Sequence, residues 1–310
     1  MKMKDSVKHI AICSDEQYMP YCSVLIKSIC ENNTDDNLEF HVVTGGVSSE
    51  AHERIQTVVS YYGKKLSLYT VNLSDFKDCP VRRAEHITVA SYFRLQLPEI
   101  LPADVKKVLY LDCDIVVDGS ISPLFDFDLT GKAVGAVYNQ TGGDIRHYNR
   151  LNLDFRSGYF NAGVLMINLD YWRKNNVSKR VIDFISENPD ICKYHDQDGL
   201  NYVLRNEKVL LPLKYNVQAL FYLDVPIIPK VFFDELEEAK KSPVIIHYTG
   251  SDKPWQKWSN QPNKERYMFY AMLNPLVAEA VIRPSLLQYA KHHIKKIAKG
   301  IINRHVSVLW

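Results

Sequence analysis

Within its first 70 or so residues the chain switches repeatedly between short apolar runs and stretches of helical spacing, and few folds accept that alternation. HIAICS (residues 9–14) reads as a strand. YMPYCSVLIKSICENN (18–33) follows with Cys22, Leu25, Ile26 and Ile29 at helical spacing, and Asn32-Asn33 closes it. LEFHVVTGG (38–46) is a second strand, ended by paired glycines. SSEAHERIQTVVSYYG (48–63) is a second helix, with Ser48 or Ser49 as its cap and Gly63 at its end. KLSLYTV (65–71) is a third strand. The alternation predicts an α/β fold whose central sheet is mainly parallel and flanked by helices.

ITVASYFRLQLPEIL (87–101) is expected to be helical as far as Leu97-Pro98. KVLYLDCD (107–114) is a continuous apolar strand of the sort buried on both faces, yet it ends in Asp112-Cys113-Asp114. Unpaired buried charge is strongly disfavoured, so this pair needs a partner. Ligands of open α/β sheets bind beyond the carboxyl ends of the strands, and residues i and i+2 share a face. Two such carboxylates suit a hard divalent cation. Three readings of the pattern stand at this point: a cation site, a capped or ion-paired strand end, and a phosphohydrolase of the haloacid-dehalogenase type with Asp112 as nucleophile.

Segments further along separate these readings. HITVASYFRLQLPEIL, YFNAGVLMINLDYWRKNN (159–176), YHDQDGLNYVL (194–204) and IIHYTGSDKPW (245–255), with the opening AICSDEQYMPYCSVLIKSI, occur in a fixed order around the Asp pair. Together they resemble glycosyltransferase family 8, most closely its bacterial retaining members that add galactose or glucose to lipopolysaccharide cores. The resemblance spans roughly residues 9–260. It implies a fold of the GT-A nucleotide-sugar-binding type, a UDP-hexose donor, and Mn²⁺ (or Mg²⁺) bridging the donor's diphosphate.

Carried onto this sequence, the resemblance makes Asp112 and Asp114, with Cys113 between them, the metal-binding segment, and His247 the third ligand. Mn²⁺ accepts an imidazole nitrogen beside carboxylates more readily than Mg²⁺ does, so the set is chemically consistent. Gly250 would let backbone approach the phosphates and Lys253 would add positive charge there. Cys13, Asp15 and Tyr18 would hold uracil and ribose, and Arg94 the diphosphate or donor sugar. Asn161 and Ala162, in a turn with Gly163, would cradle the hexose. Asp196, Gln197 and Asp198 would lie nearest the reaction: Asp196 on donor hydroxyls, Gln197 on the sugar's far face, Asp198 as a support or a transient nucleophile. Because an amide is a poor nucleophile, retention is expected by acceptor attack on the face that UDP leaves. Residues 140–155, with Gly142-Gly143, are expected to form a lid over the donor.

Charge divides the chain. Residues 283–310 hold Arg283, Lys291, Lys295, Lys296, Lys299 and Arg304 with no acidic residue, while the whole chain has a net charge of only +2. Leu287, Ala290, Ile294, Ile297 and Ile301 fall at spacings of three and four there, and Trp310 ends the chain. The pattern predicts a catalytic domain over 1–270 and a basic amphipathic tail over 271–310 that lies on an anionic membrane surface, close to a glycolipid acceptor. Nucleic acid is not an expected partner, since the body is acidic. No apolar run reaches the roughly 18 residues of a membrane-spanning helix. Six scattered cysteines without an export signal are expected as free thiols, placing the protein in the cytoplasm against the inner face of the membrane. The competing functions are the phosphohydrolase and a non-catalytic relative that only binds UDP-sugar.

Overall fold

The computed structural model describes residues 6–77, 79–80 and 89–272. Most of the tail, residues 273–310, lies outside the described residues. The opening alternation folds as expected: β1 (Lys8–Cys13), α1 (Met19–Asn32), β2 (Leu38–Thr44), α2 (Ser49–Tyr61) and β3 (Lys65–Thr70). A 3₁₀ helix over Val89–Gln96 runs into the short α3 (Leu97–Ile100), where a single longer helix was expected.

The apolar run that contains the aspartates is two strands, not one. β4 (Lys107–Leu111) belongs to the large sheet, and β5 (Ile115–Val117) to a small one. Then come β6 (Val134–Tyr138), α4 (Ile145–Leu151), β7 (Phe160–Asn168), α5 (Leu169–Lys174), α6 (Val177–Glu187), α7 (His195–Val203) and β8 (Lys208–Leu211). β9 (Val217–Gln218), α8 (Phe233–Lys241), β10 (Ile245–His247) and α9 (Lys264–Met272) complete the described elements. The large sheet has the order β3-β2-β1-β4-β7-β6-β8, with β7 antiparallel to both its neighbours. The small sheet has the order β5-β10-β9.

Alternation along β1 shows how the sheet is covered. Ile10 and Ile12 point into a core shared with α1 and α2, while Ala11 and Cys13 face one built with α5, α6 and α7. All six cysteines are buried, and none is in a disulfide.

Two expectations need correcting. Residues 140–155 do not lie over the cavity in this structure: α4 is capped by Asp144, buries His147, Tyr148 and Leu151, and none of the segment lines the cavity described below. Gly142 is there for space, since a Cβ on it would sit 2.2 Å from the Tyr138 ring, whose hydroxyl donates to the Gly142 carbonyl at 2.9 Å. Asn161-Ala162-Gly163 is not a turn but the start of β7. There β7 bulges, with four residues between Phe160 and Leu165 where β6 has one between Ala136 and Tyr138.

Candidate active site

The crossing between the two sheets creates the site. Asp112, Cys113 and Asp114 connect β4 to β5, and β5 pairs antiparallel with β10 so that His247 lies opposite Ile115. Residues more than 130 positions apart meet through that register. Oxygens of Asp112 and Asp114 and a nitrogen of His247 all lie within 4.8 Å of one another. They form part of the floor of a cavity of about 580 Å³, of the size that holds a nucleotide-sized ligand. Apart from Asp198, every residue expected to touch donor or metal lines this cavity.

In each of the three side chains, bonds to neighbours leave one atom turned toward the other two. Asp112 Oδ1 accepts from the Tyr110 hydroxyl at 2.6 Å and lies 3.2 Å from Arg94 Nη2, so Oδ2 faces His247 Nε2 at 3.9 Å. Asp114 Oδ2 is taken by the Lys253 ammonium, which leaves Oδ1 3.2 Å from the same imidazole nitrogen. His247 Nδ1 donates to Asn216 Oδ1 at 3.0 Å. Burial pushes the Asp114 carboxyl up, but the Lys253 ammonium outweighs it and holds the group below the usual carboxylate range. Gly163 supplies the room: a Cβ there would lie 2.2 Å from His247 Cε1 and 2.7 Å from Asp112 Oδ2. The donor set of two carboxylate oxygens and one imidazole nitrogen fits Mn²⁺, with Mg²⁺ a poorer match.

Arg94 does not stand free to meet a phosphate. It is buried over the Tyr110 ring, donates to the Ala162 carbonyl, and reaches Asp112 and Asp196 together. Burial lowers its proton affinity, and the two carboxylates more than reverse that effect. Asp196 Oδ2 is 3.0 Å from Arg94 Nε without the alignment of a hydrogen bond, and it is a buried oxygen with no hydrogen-bond donor. Burial, opposed by Arg94, raises the Asp196 carboxyl to about 6.

Gln197 is fixed by backbone. Its Oε1 accepts from Ala162 N and Asn161 Nδ2, both at 3.1 Å, and its Nε2 donates to the Tyr159 hydroxyl at 3.1 Å. Asp198 is kept from the cavity: fully buried, it accepts two bonds from Arg150 at 2.6 and 2.9 Å, one from Tyr159 and one from Tyr194 N. A carboxylate so engaged supports its neighbours, and the nucleophile role expected as its alternative has no access to a sugar.

On the side expected to hold the nucleotide, Asp15 Oδ1 accepts from Tyr18 N at 3.0 Å, shaping the turn into α1, and Tyr18 packs edge-on against Trp255. Cys113 Sγ donates to the Cys13 carbonyl at 3.4 Å and ties β4 to β1. Gly250 has a φ of +87°, which favours glycine at that wall. Tyr110, Asn216, Tyr159 and Arg150 were not singled out from the sequence. Only Tyr110 carried a local sign, since it lies two residues before Asp112 on an apolar strand.

Comparison with known proteins agrees with this geometry. The family model described as Glycosyl transferase family 8 matches residues 9–259. The chain is 30% identical over 307 residues to the lipopolysaccharide glucosyltransferase WaaO of Escherichia coli (strain K12), covering 95% of this chain and 88% of that protein. It is 28% identical over 273 residues to general stress protein A of Bacillus subtilis (strain 168), covering 86% and 94%. A crystal structure of the galactosyltransferase LgtC with donor and acceptor sugar analogues superposes with a TM-score of 0.78 at 27% identity, covering 89% of this chain and 98% of that one.

Proposed function

The chain belongs to glycosyltransferase family 8 and has its GT-A type fold, and from that premise we propose that it transfers glucose or galactose from a UDP-sugar to a glycan acceptor with retention at the anomeric carbon. The observation that carries this reading is the convergence of Asp112, Asp114 and His247 on the floor of a nucleotide-sized cavity. Asp112 Oδ2, Asp114 Oδ1 and His247 Nε2 would hold Mn²⁺. When bound, the ion supplies positive charge to the departing diphosphate.

The remaining work falls to side chains. Cys13, Asp15 and Tyr18 form the nucleotide wall. Gly250 and Lys253 border the diphosphate. The undonated oxygen of Asp196 is placed to accept a sugar hydroxyl, a bond a buried acceptor strongly favours. Both donors to Gln197 Oε1 are already spent on that oxygen, so it has little lone-pair density to offer an anomeric carbon. This supports attack by the acceptor on the face that UDP leaves, with a UDP phosphate oxygen helping to remove the acceptor's proton. A phosphohydrolase with Asp112 as nucleophile is disfavoured by family membership, and a merely binding relative by the retained donor set.

The acceptor we propose is the lipopolysaccharide core or another glycolipid, because relatives such as WaaO are lipopolysaccharide glycosyltransferases. The finer assignment of residues 271–310 to a cytoplasmic membrane surface rests on their sequence. Among the described residues no helix is long and apolar enough to cross a membrane. The decisive experiment supplies a panel of UDP-sugars with Mn²⁺ and follows UDP release. Release from UDP-glucose or UDP-galactose that disappears in Asp114→Asn is expected. No release from any UDP-hexose, with or without glycan acceptors, would overturn the proposal.

A further inference from the structure

Which nitrogen of His247 carries a hydrogen is decided by a backbone amide on another strand. Gly163 N donates to Asn161 Oδ1 at 3.0 Å, so that end of Asn161 must be the oxygen. The atom of Asn216 lying 2.8 Å from the same oxygen must therefore be a donor, its Nδ2. This turns Asn216 Oδ1 toward His247 Nδ1, and an amide oxygen can only accept. Nδ1 thus carries a hydrogen, and on the neutral ring this leaves Nε2, the nitrogen facing Asp112 and Asp114, with the lone pair a cation needs. In the other direction Asn161 Nδ2 donates to Gln197 Oε1.

The chain of amides is largely shielded from water. Asn216 is 0% exposed, His247 4% and Asn161 7%, so solvent offers little substitute for a lost bond. Strand pairing sets the contact: Asn216 precedes β9, whose Val217 lies beside Ile246 of β10.

Resting on the reading of Asp112, Asp114 and His247 as metal ligands, we infer that Asn216 is a positioning residue that serves both halves of the site. Its Oδ1 fixes the His247 tautomer that can bind a divalent cation. Its Nδ2 holds Asn161, and through it Gln197, against the donor-sugar wall. Partners of this kind orient metal-binding histidines, and losing them costs about 10–100-fold in metal affinity.

The test separates the two directions. In metal-free wild-type protein, ¹⁵N NMR of His247 in weakly alkaline buffer should show the hydrogen on Nδ1; a hydrogen on Nε2 overturns the inference whatever the variants do. Asn216→Ala should mix the tautomers and weaken Mn²⁺ binding, titrated on the protein alone, by 10–100-fold. Asn216→Asp keeps the acceptor for His247 but has no hydrogen for Asn161. It should hold Mn²⁺ affinity within about threefold while kcat falls at least tenfold. Wild-type Mn²⁺ affinity and tautomer in Asn216→Ala overturn the first half, and wild-type kcat in Asn216→Asp the second. Should Asp114→Asn bind Mn²⁺ as wild type does, the ligand assignment fails instead, and the metal-free NMR result still judges Asn216.

Discussion

Replacing Gly163 with alanine asks whether the cavity floor is built around an ion. The residue lies in β7 outside the left-handed region, so the backbone accepts alanine, and the only obstacle is the space a methyl would fill. That methyl would sit 2.2 Å from His247 Cε1, where ordinary contact begins near 3.4 Å, so the ring must withdraw by about 1.2 Å. Metal–ligand distances tolerate only about 0.2 Å. Asp112 Oδ2, 2.7 Å from the same methyl, is displaced with it. Overpacking costs about 1–3 kcal/mol, below the roughly 5–15 kcal/mol that holds a domain folded. The variant should therefore fold and melt a few degrees lower. Two ligands moving together should cost at least about 100-fold in Mn²⁺ affinity, or about 2.7 kcal/mol. Calorimetric titration of metal-free protein with Mn²⁺, beside a melting curve and UDP release from UDP-glucose and UDP-galactose, measures all three. Wild-type Mn²⁺ affinity with retained turnover in Gly163→Ala would refute the reasoning.

Asp198→Ala leaves the Arg150 guanidinium without its buried partner and should lower unfolding free energy by about 3–5 kcal/mol in denaturant titrations. A variant of wild-type stability that has lost only turnover would revive Asp198 as a nucleophile. At the opposite end of the strands, His9 Nδ1 and His41 Nε2 are 2.9 Å apart, and His41 Nδ1 meets the Tyr69 hydroxyl. Burial, and then His9, push His41 down to about 4; burial also lowers His9, against the carboxylates of Glu39 and Asp104. The unfolded chain takes up these protons first, so their stabilisation is full above about pH 6.5 and is lost as pH falls toward 4, by at most about 3 kcal/mol for His41. Wild-type protein should lose stability more steeply over that window than His41→Gln, and equal slopes would contradict the assignment. Removing residues 284–310 should spare UDP-sugar hydrolysis but weaken sedimentation with anionic vesicles, and unchanged sedimentation would dismiss the membrane role.

What was legible in the sequence follows the range of the forces involved. The alternation from β1 to β3 is written in local periodicity, and so were the helices between. The Asp112–Asp114 pair stood out because charge is costly in an apolar run. His247 could be joined to it only through family resemblance, because the register of β5 on β10 has no local trace. Asn216 was missed for the same reason, as its contact depends on how β9 lies beside β10. Gly142 misled because a glycine that makes room for a ring looks, in sequence, like one that lets a loop move. Asn161 misled because a bulged strand start and a turn share small, polar residues.

The cost of two carboxylates in an apolar run is met by the charges around the cavity. Asp15, Asp112, Asp114 and Asp196 line it, against Arg94 and Lys253. Those two cations are also committed, Arg94 to Asp112 and Asp196, and Lys253 to Asp114. A diphosphate entering such a wall would meet net negative charge in a recess where solvent screens poorly. The paired bonds to Asp112 Oδ1 and Asp114 Oδ2 do not neutralise the site; they select which oxygens remain open. A divalent cation on those oxygens would cancel that excess and place positive charge where the phosphates must sit. The aspartates are tolerated at the sheet crossing because half of each is bonded within the protein, and the other half is the feature that would allow an acidic cavity to hold an anionic donor.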